Sequence, residues 1–231
     1  MPPPAPKVNF ALELIRCKIA LMEISAPTTL RERKMRETAA RLTSACRRLT
    51  AERGLNGFTV EEVCEEVDIS RRTFFNYFPT KEDAVIGLDP EEELQKFAAD
   101  FLARGSHGWD RVIDDFADLV VEHFESAGIN PADHAELVAA IEREPKLLTK
   151  FMGVSRARDK QAAELIAERE GVDLDDARVV ACVNLVTLLI KSAGDRYFEP
   201  HNELDFSSLV HQNLSALRTV LGSSSPRKAH P

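Results

Sequence analysis

Apolar residues along this chain recur mainly three and four positions apart, the spacing of helices that bury one face. Phe10, Leu14, Cys17, Leu21 and Ile24 make one such stripe, widened by Leu12, Ile15, Ile19 and Met22, which predicts a short helix over 8–24. A longer helix is predicted from about Leu30 to Arg53, with Gly54 placed to cap its C-terminus. The pattern then shortens. Thr59 followed three residues on by Glu62 is a capping box, and the helix it opens runs out at Val67. Asp68-Ile69 makes a tight turn, and Ser70 caps a second short helix ending near Tyr77. Phe78-Pro79 breaks that helix, and Thr80 caps a third one beginning Lys81-Glu82-Asp83. Longer helices are predicted near 91–104, 109–127, 131–142, 145–170, 173–198 and 205–221. The expectation is an all-α protein. It has an N-terminal extension at 1–27, a small three-helix head with a helix-turn-helix at 28–88, a larger helical body at 89–222 and a tail at 223–231.

Two short helices joined by a tight turn form a helix-turn-helix. Val60, Val63, Cys64, Val67 and Ile69 would face inward, with Phe74 and Phe78 closing the core from the second helix. Arg71, Arg72, Thr73, Asn76 and Tyr77 then remain outside. Such a face can read a major groove: arginine pairs with guanine, asparagine with adenine, and hydroxyls bond phosphates or base edges. The helix start at Ser70 adds oriented amides and a positive dipole end. By pattern alone, a helical hairpin with a solvated polar face remains open as an alternative.

The formal net charge of −8 argues against nucleic acid, but its distribution does not. Arg31 to Lys81 holds 11 Lys/Arg against 8 Asp/Glu, a net of +3, whereas residues 82–231 carry 16 against 28, a net of −12. Phosphates would be drawn to one end of such a molecule. Apolar residues at 44 % and charged residues at 29 % suit a folded globular chain. Cys17, Cys46, Cys64 and Cys182 form no CxxC pair, and the six histidines show no paired ligand spacing, so reduced thiols and no metal or other cofactor are expected. No Ser/His/Asp order or Gly-rich phosphate loop stands out, and Asp114-Asp115 and Asp175-Asp176 are adjacent pairs that point to different sides of a helix, so no enzyme is expected. No stretch approaches 18 uncharged apolar residues, and Glu13, Arg16, Lys18 and Glu23 break the run from Asn9 to Ser25, which predicts a cytoplasmic protein.

The segment from Thr59 to Glu82 resembles the signature of the TetR family of transcription regulators. The matching residues are Thr59, Val63-Cys64, Ile69-Ser70, Thr73-Phe74-Phe75, Tyr77-Phe78 and Thr80-Lys81-Glu82, with Ala45, Leu49 and Glu52-Arg53-Gly54 upstream. Three residues depart from it: Asp68 stands where Gly is usual, Cys64 where Ala is usual and Arg72 where Gly is common. The resemblance covers about residues 31–88. It implies a repressor that binds a palindromic operator in double-stranded DNA as a homodimer and is released by a small-molecule effector. It also implies phosphate or base contacts from Thr73, Tyr77 and Lys81; Arg31, Arg33 and Lys34 at the start of the first helix are placed to reach backbone or minor groove, with a solvated helix start the equal alternative. Thr59 and Ser70 complete the expected DNA-facing set. A looser resemblance, in residues 142–151, 166–171 and 175–176, is to the subgroup associated with acyl-CoA-like ligands. Phe97, Phe101, Trp109, Phe116, Phe124, Phe151, Met152 and Asn184 are the candidate ligand-lining residues, although helical spacing equally suits plain core. Leu185, Leu189, Phe206, Val210, Leu214, Leu217 and Leu221 are the expected dimer interface, because the last two helices carry wide apolar stripes; packing of those stripes within one chain is the alternative. The competing reading is a helical module that binds protein and not DNA.

Overall fold

The computed structural model describes residues 30–87, 98–127, 131–199 and 201–222; the expected helix at 8–24, Phe97 and the tail lie outside them. Among the described residues all regular structure is helical. The head contains α1 (Leu30–Arg53), α2 (Val60–Val67), α3 (Arg71–Tyr77) and α4 (Lys81–Ile86). A helical stretch at 98–103 leads to α5 (Val112–Ala127), α6 (Pro131–Arg143), α7 (Lys146–Glu170), α8 (Ala177–Tyr197) and α9 (Phe206–Gly222).

Local chemistry places each boundary in the head. Thr59 accepts from the Glu62 N–H while Glu62 reaches back to the Thr59 N–H, closing the capping box. Asp68 ends α2 in the left-handed region at φ 59°, and Ser70 and Thr80 accept from the N–H groups of Thr73 and Asp83. Two body helices begin later than expected. Gly108, at φ 90°, starts a turn in which the Arg111 N–H bonds its carbonyl, so α5 opens at Val112. Asp176 accepts from the Arg178 N–H and delays α8 to Ala177.

Two buried cores organise the chain. The first gathers Leu42, Leu49, Leu55, Val63, Phe74, Phe78 and Ile86, but also Leu137, Ile141, Leu147 and Phe151 from α6 and α7. The core of the head therefore includes side chains from α6 and α7. The second core joins Phe101, Phe116, Val120, Phe124, Ile166, Val179, Val186, Ile190, Phe206 and Val210. Helix α7 enters both cores, with Leu147 and Phe151 at one end and Ile166 and Ala167 at the other.

Polar contacts rivet the head to α6 and α7. Buried Arg47 donates to the carbonyls of Val85 at 2.9 Å, Ile86 at 3.2 Å and Asp133 at 3.3 Å. Such a buried cation is tolerable because carbonyls satisfy it. Lys150 pairs with Asp83 at 2.6 Å, and Ser44 donates to Glu136 at 3.0 Å. Glu144 accepts the Leu55 N–H at 2.9 Å. Gly54 must be glycine at this seam: its φ is +75°, and a Cβ would stand 2.7 Å from the Glu144 carboxylate oxygen.

Helices α8 and α9 pair, with the Asn213 amide donating to the Leu189 carbonyl at 3.3 Å. By length and composition α8 could cross a membrane, but much of it is buried in the second core and it carries Lys191 and Asp195. The apolar stripes of this pair are mostly covered by the chain itself. Leu189, Phe206, Val210 and Leu214 are buried, because α5 packs across both helices and Phe124 stacks on Phe206 at 3.8 Å. Four of the seven residues expected at a dimer interface are thus internal. Leu185 and Leu217 are half-buried and Leu221 is exposed. The apolar side chains that face outward are Val180, Leu188, Val220 and Leu221, 50–71 % exposed.

Candidate nucleic-acid interface

A seven-residue helix such as α3 has no stability of its own. Phe74 and Phe78, both buried, anchor its inner face with ring centroids 6.3 Å apart. Ser70 and Asp68 fix its start. This support leaves Arg71, Arg72, Phe75 and Asn76 exposed together, with Thr73 and Tyr77 half-buried beside them. The Thr73 and Ser70 hydroxyls bond each other at 2.8 Å. Tyr77 lines a surface groove with Leu30, Arg31, Lys34, Met35 and Thr38, so the start of α1 and the end of α3 form one continuous surface.

Phe75 is the residue that sequence reasoning passed over. It is 44 % exposed, stands edge-on to Phe74 and lies under the Arg71 guanidinium at 5.6 Å. Its spacing of four from Arg71 was the signal that would have placed it on this face. An apolar ring there can pack on a thymine methyl.

Most of the basic residues of the head are already engaged. Arg48 pairs with Glu66 at 2.6 Å, Arg53 with Glu62 at 3.4 Å, Arg71 with Glu61 at 2.7 Å and Arg33 with Glu37 at 3.8 Å. Arg41 donates to the Val67 carbonyl at 2.9 Å. Lys81 points its ammonium at the carbonyls of Leu55 at 2.5 Å and Phe58 at 2.7 Å, over the Phe58 ring. Two of its three donors therefore tie down the α1–α2 turn, and one is left for the phosphate contact expected of it. Thr59, though exposed, has its hydroxyl engaged by Glu62. Among the described residues Arg31, Lys34 and Arg72 make neither an ion pair nor a side-chain hydrogen bond, so their donors are open on this surface. The Thr59 N–H holds the Glu62 carboxyl below its ordinary range.

This surface offers aligned donors and cations. Burial pushes the Cys46 thiol up to about 12 and raises Cys64 as well, which makes both inert core groups. The model of the TetR family of bacterial regulatory proteins matches residues 42–85, from the middle of α1 through most of α4. The HTH-type transcriptional regulator TcmR of Streptomyces glaucescens is 32 % identical over 200 residues, covering 83 % of this chain and 88 % of that protein. The chain belongs to the TetR family. It is a DNA-binding transcription regulator.

The departures from the TetR signature are accommodated. Asp68 adopts the left-handed turn that Gly usually supplies, Cys64 is buried where Ala would be, and Arg72 projects into solvent. In the body of this TetR-family chain, the candidate ligand residues do not form one group. Phe101, Phe116 and Phe124 lie in the second core with Trp109 packed against it, whereas Phe151 and Met152 belong to the first. Asn184 is exposed on the outer side of α8 and lines no interior space. Helix spacing alone could not assign the aromatics to different cores. Sequence reasoning also missed buried Arg169, whose guanidinium covers Phe101 at 4.2 Å and pairs with Asp115 at 3.2 Å and Glu170 at 2.9 Å.

Proposed function

We propose that this regulator is a cytoplasmic homodimeric repressor, without enzymatic activity, that reads a palindromic duplex operator and is released by a small apolar or acyl-CoA-like effector. The observation that carries the reading is the exposed group Arg71, Arg72, Phe75 and Asn76 on a helix held rigid from below. One such helix spans only a few base pairs, so useful affinity calls for two at a fixed spacing. The outward Val180 and Leu188 of α8, with Leu217 and Leu221 of α9, give the second copy its docking face, and Asn184 sits among them. Two-fold symmetry doubles what each of these residues buries. The effector would occupy the body near Phe101, Trp109, Phe116 and Phe124 and favour the form that does not bind DNA. Helix α7 carries side chains into both cores and holds Asp83 of α4 through Lys150, which offers a physical route between the sites.

The test is selection of duplexes from a randomised pool by the purified protein, followed by titration of the selected site at stepped salt. A palindrome with half-sites about one helical turn or a multiple apart, bound with steep salt dependence, supports the reading. Light scattering that shows a monomer of 25.8 kDa overturns the dimer. A panel of acyl-CoAs and lipophilic compounds that all leave the complex intact overturns the effector class.

A further inference from the structure

Arg71 and Arg72 are neighbours and both exposed, yet they differ in how they are held. The Arg71 Nη1 pairs with Glu61 at 2.7 Å across the turn, and its guanidinium rests 5.6 Å from the Phe75 ring centroid. Arg72 makes no ion pair among the described residues. A guanidinium has five N–H donors in a planar fork, so engaging Nη1 leaves the Nε and Nη2 edge open. That edge can make the bidentate contact that arginine makes with guanine N7 and O6.

We propose that Glu61 is a positioning residue for base recognition: it buttresses Arg71 as the guanine reader of the recognition helix, while Arg72 contacts phosphate. The inference rests on the DNA-binding reading above. The buttress acts in two ways. It removes rotamer freedom before binding, so less is lost when Arg71 meets its base. It also neutralises Arg71, so the Arg71–Glu61 pair adds little to sequence-independent attraction by phosphates. Both effects widen the gap between operator and random DNA. Glu61 and Arg71 are both largely exposed, so the pair contributes little to folding, and replacing either leaves the head intact.

The probes are a duplex selected by the wild-type protein, the same duplex with each guanine changed in turn, and a random-sequence duplex of equal length. In Glu61→Gln, discrimination at one guanine per half-site falls by about three- to tenfold, random DNA binds more tightly, and the random-DNA salt slope steepens by about 0.9. Glu65→Gln, the same charge change on the same helix, strengthens both complexes alike and keeps the ratio. In an Arg71→Ala background the discrimination is already gone, and Glu61→Gln changes it no further. Arg72→Ala weakens selected and random duplexes by similar factors and lowers the slope. If Glu61→Gln leaves the guanine discrimination intact while operator binding persists, the buttress is overturned and the DNA-binding reading stands. If the wild type selects no duplex, both fall together.

Discussion

Helices α2, α3 and α4 of the head have 8, 7 and 6 residues, and each begins on a hydroxyl that accepts a backbone N–H. Helices α7 and α8 of the body have 25 and 21 residues; α7 begins after Pro145 with no side-chain cap, whereas α8 keeps one in Asp176. Short helices gain little from propagation, so their ends must be written into nearby residues. Long helices draw stability from packing along their length, so a missing cap matters less and their faces are decided by distant partners. The boundaries of the head's short helices are thus specified locally, and the faces of the long body helices tertiarily.

The largest effect should appear in the body. Leu214 is buried and Leu188 is 55 % exposed, although both belong to the helix pair with the wide apolar stripes. Leu214→Glu should cost more than about 4 kcal/mol by burying an unpaired charge, and circular dichroism should show the melt collapse. Leu188→Glu should keep the fold while light scattering shows monomers and operator binding disappears. If Leu214→Glu folds normally and only dissociates, the division of this pair into inner and outer faces is wrong.

Alkaline pH probes the head next. Folding raises the Cys46 thiol from 9.0 to about 12, because burial disfavours the thiolate. A raised folded value means stability present below pH 9 and lost as the pH climbs toward 12, at up to about 1.4 kcal/mol per pH unit. Denaturant melts of Cys46→Ala should fall less steeply than wild type over that window; equal slopes would show that the thiol is not the cause. A smaller effect is expected at Lys81, whose ammonium holds two carbonyls of the α1–α2 turn. Lys81→Ala should lower stability by about 1–2 kcal/mol, a loss a pure phosphate contact would not produce. Smallest is the contrast of caps. Thr80→Ala should cost about 1 kcal/mol, whereas Pro145→Ala should stay within a few tenths, and comparable losses would erase the distinction between head and body.

The same distinction explains what could be read in advance. Thr59, Ser70, Thr80, Asp68 and Gly54 each announce a boundary within three or four residues, and each boundary in the head lies where they place it. Phe74 and Phe78, four apart, show which side of α3 is buried, and Arg71, Arg72 and Asn76 follow as the outer side. Pairing between elements was not legible. Nothing near Lys81 foretells its hold on Leu55 and Phe58, and nothing near Arg71 shows that Glu61 meets it across the turn. Nor does the periodicity of α9 say that α5 covers Phe206 and Val210, or that of α7 that Phe151 and Ile166 enter different cores. Those facts depend on which helix arrives from elsewhere in the chain.

The sharing of α6 and α7 between the two cores bears on how regulators of this build can be recombined. A graft that transplants only the first four helices of the head onto a foreign body would leave behind the carboxylate of Glu144 and the apolar side chains of Leu137, Ile141, Leu147 and Phe151. It would also strand the donors of Arg47 that reach Asp133. The natural cut for a hybrid sensor lies instead inside α7, between Ser155 and Ile166, where the helix passes from one core to the other. Ligand preference and operator preference can be exchanged as modules only when the crossover point follows that helix, and not the end of α4.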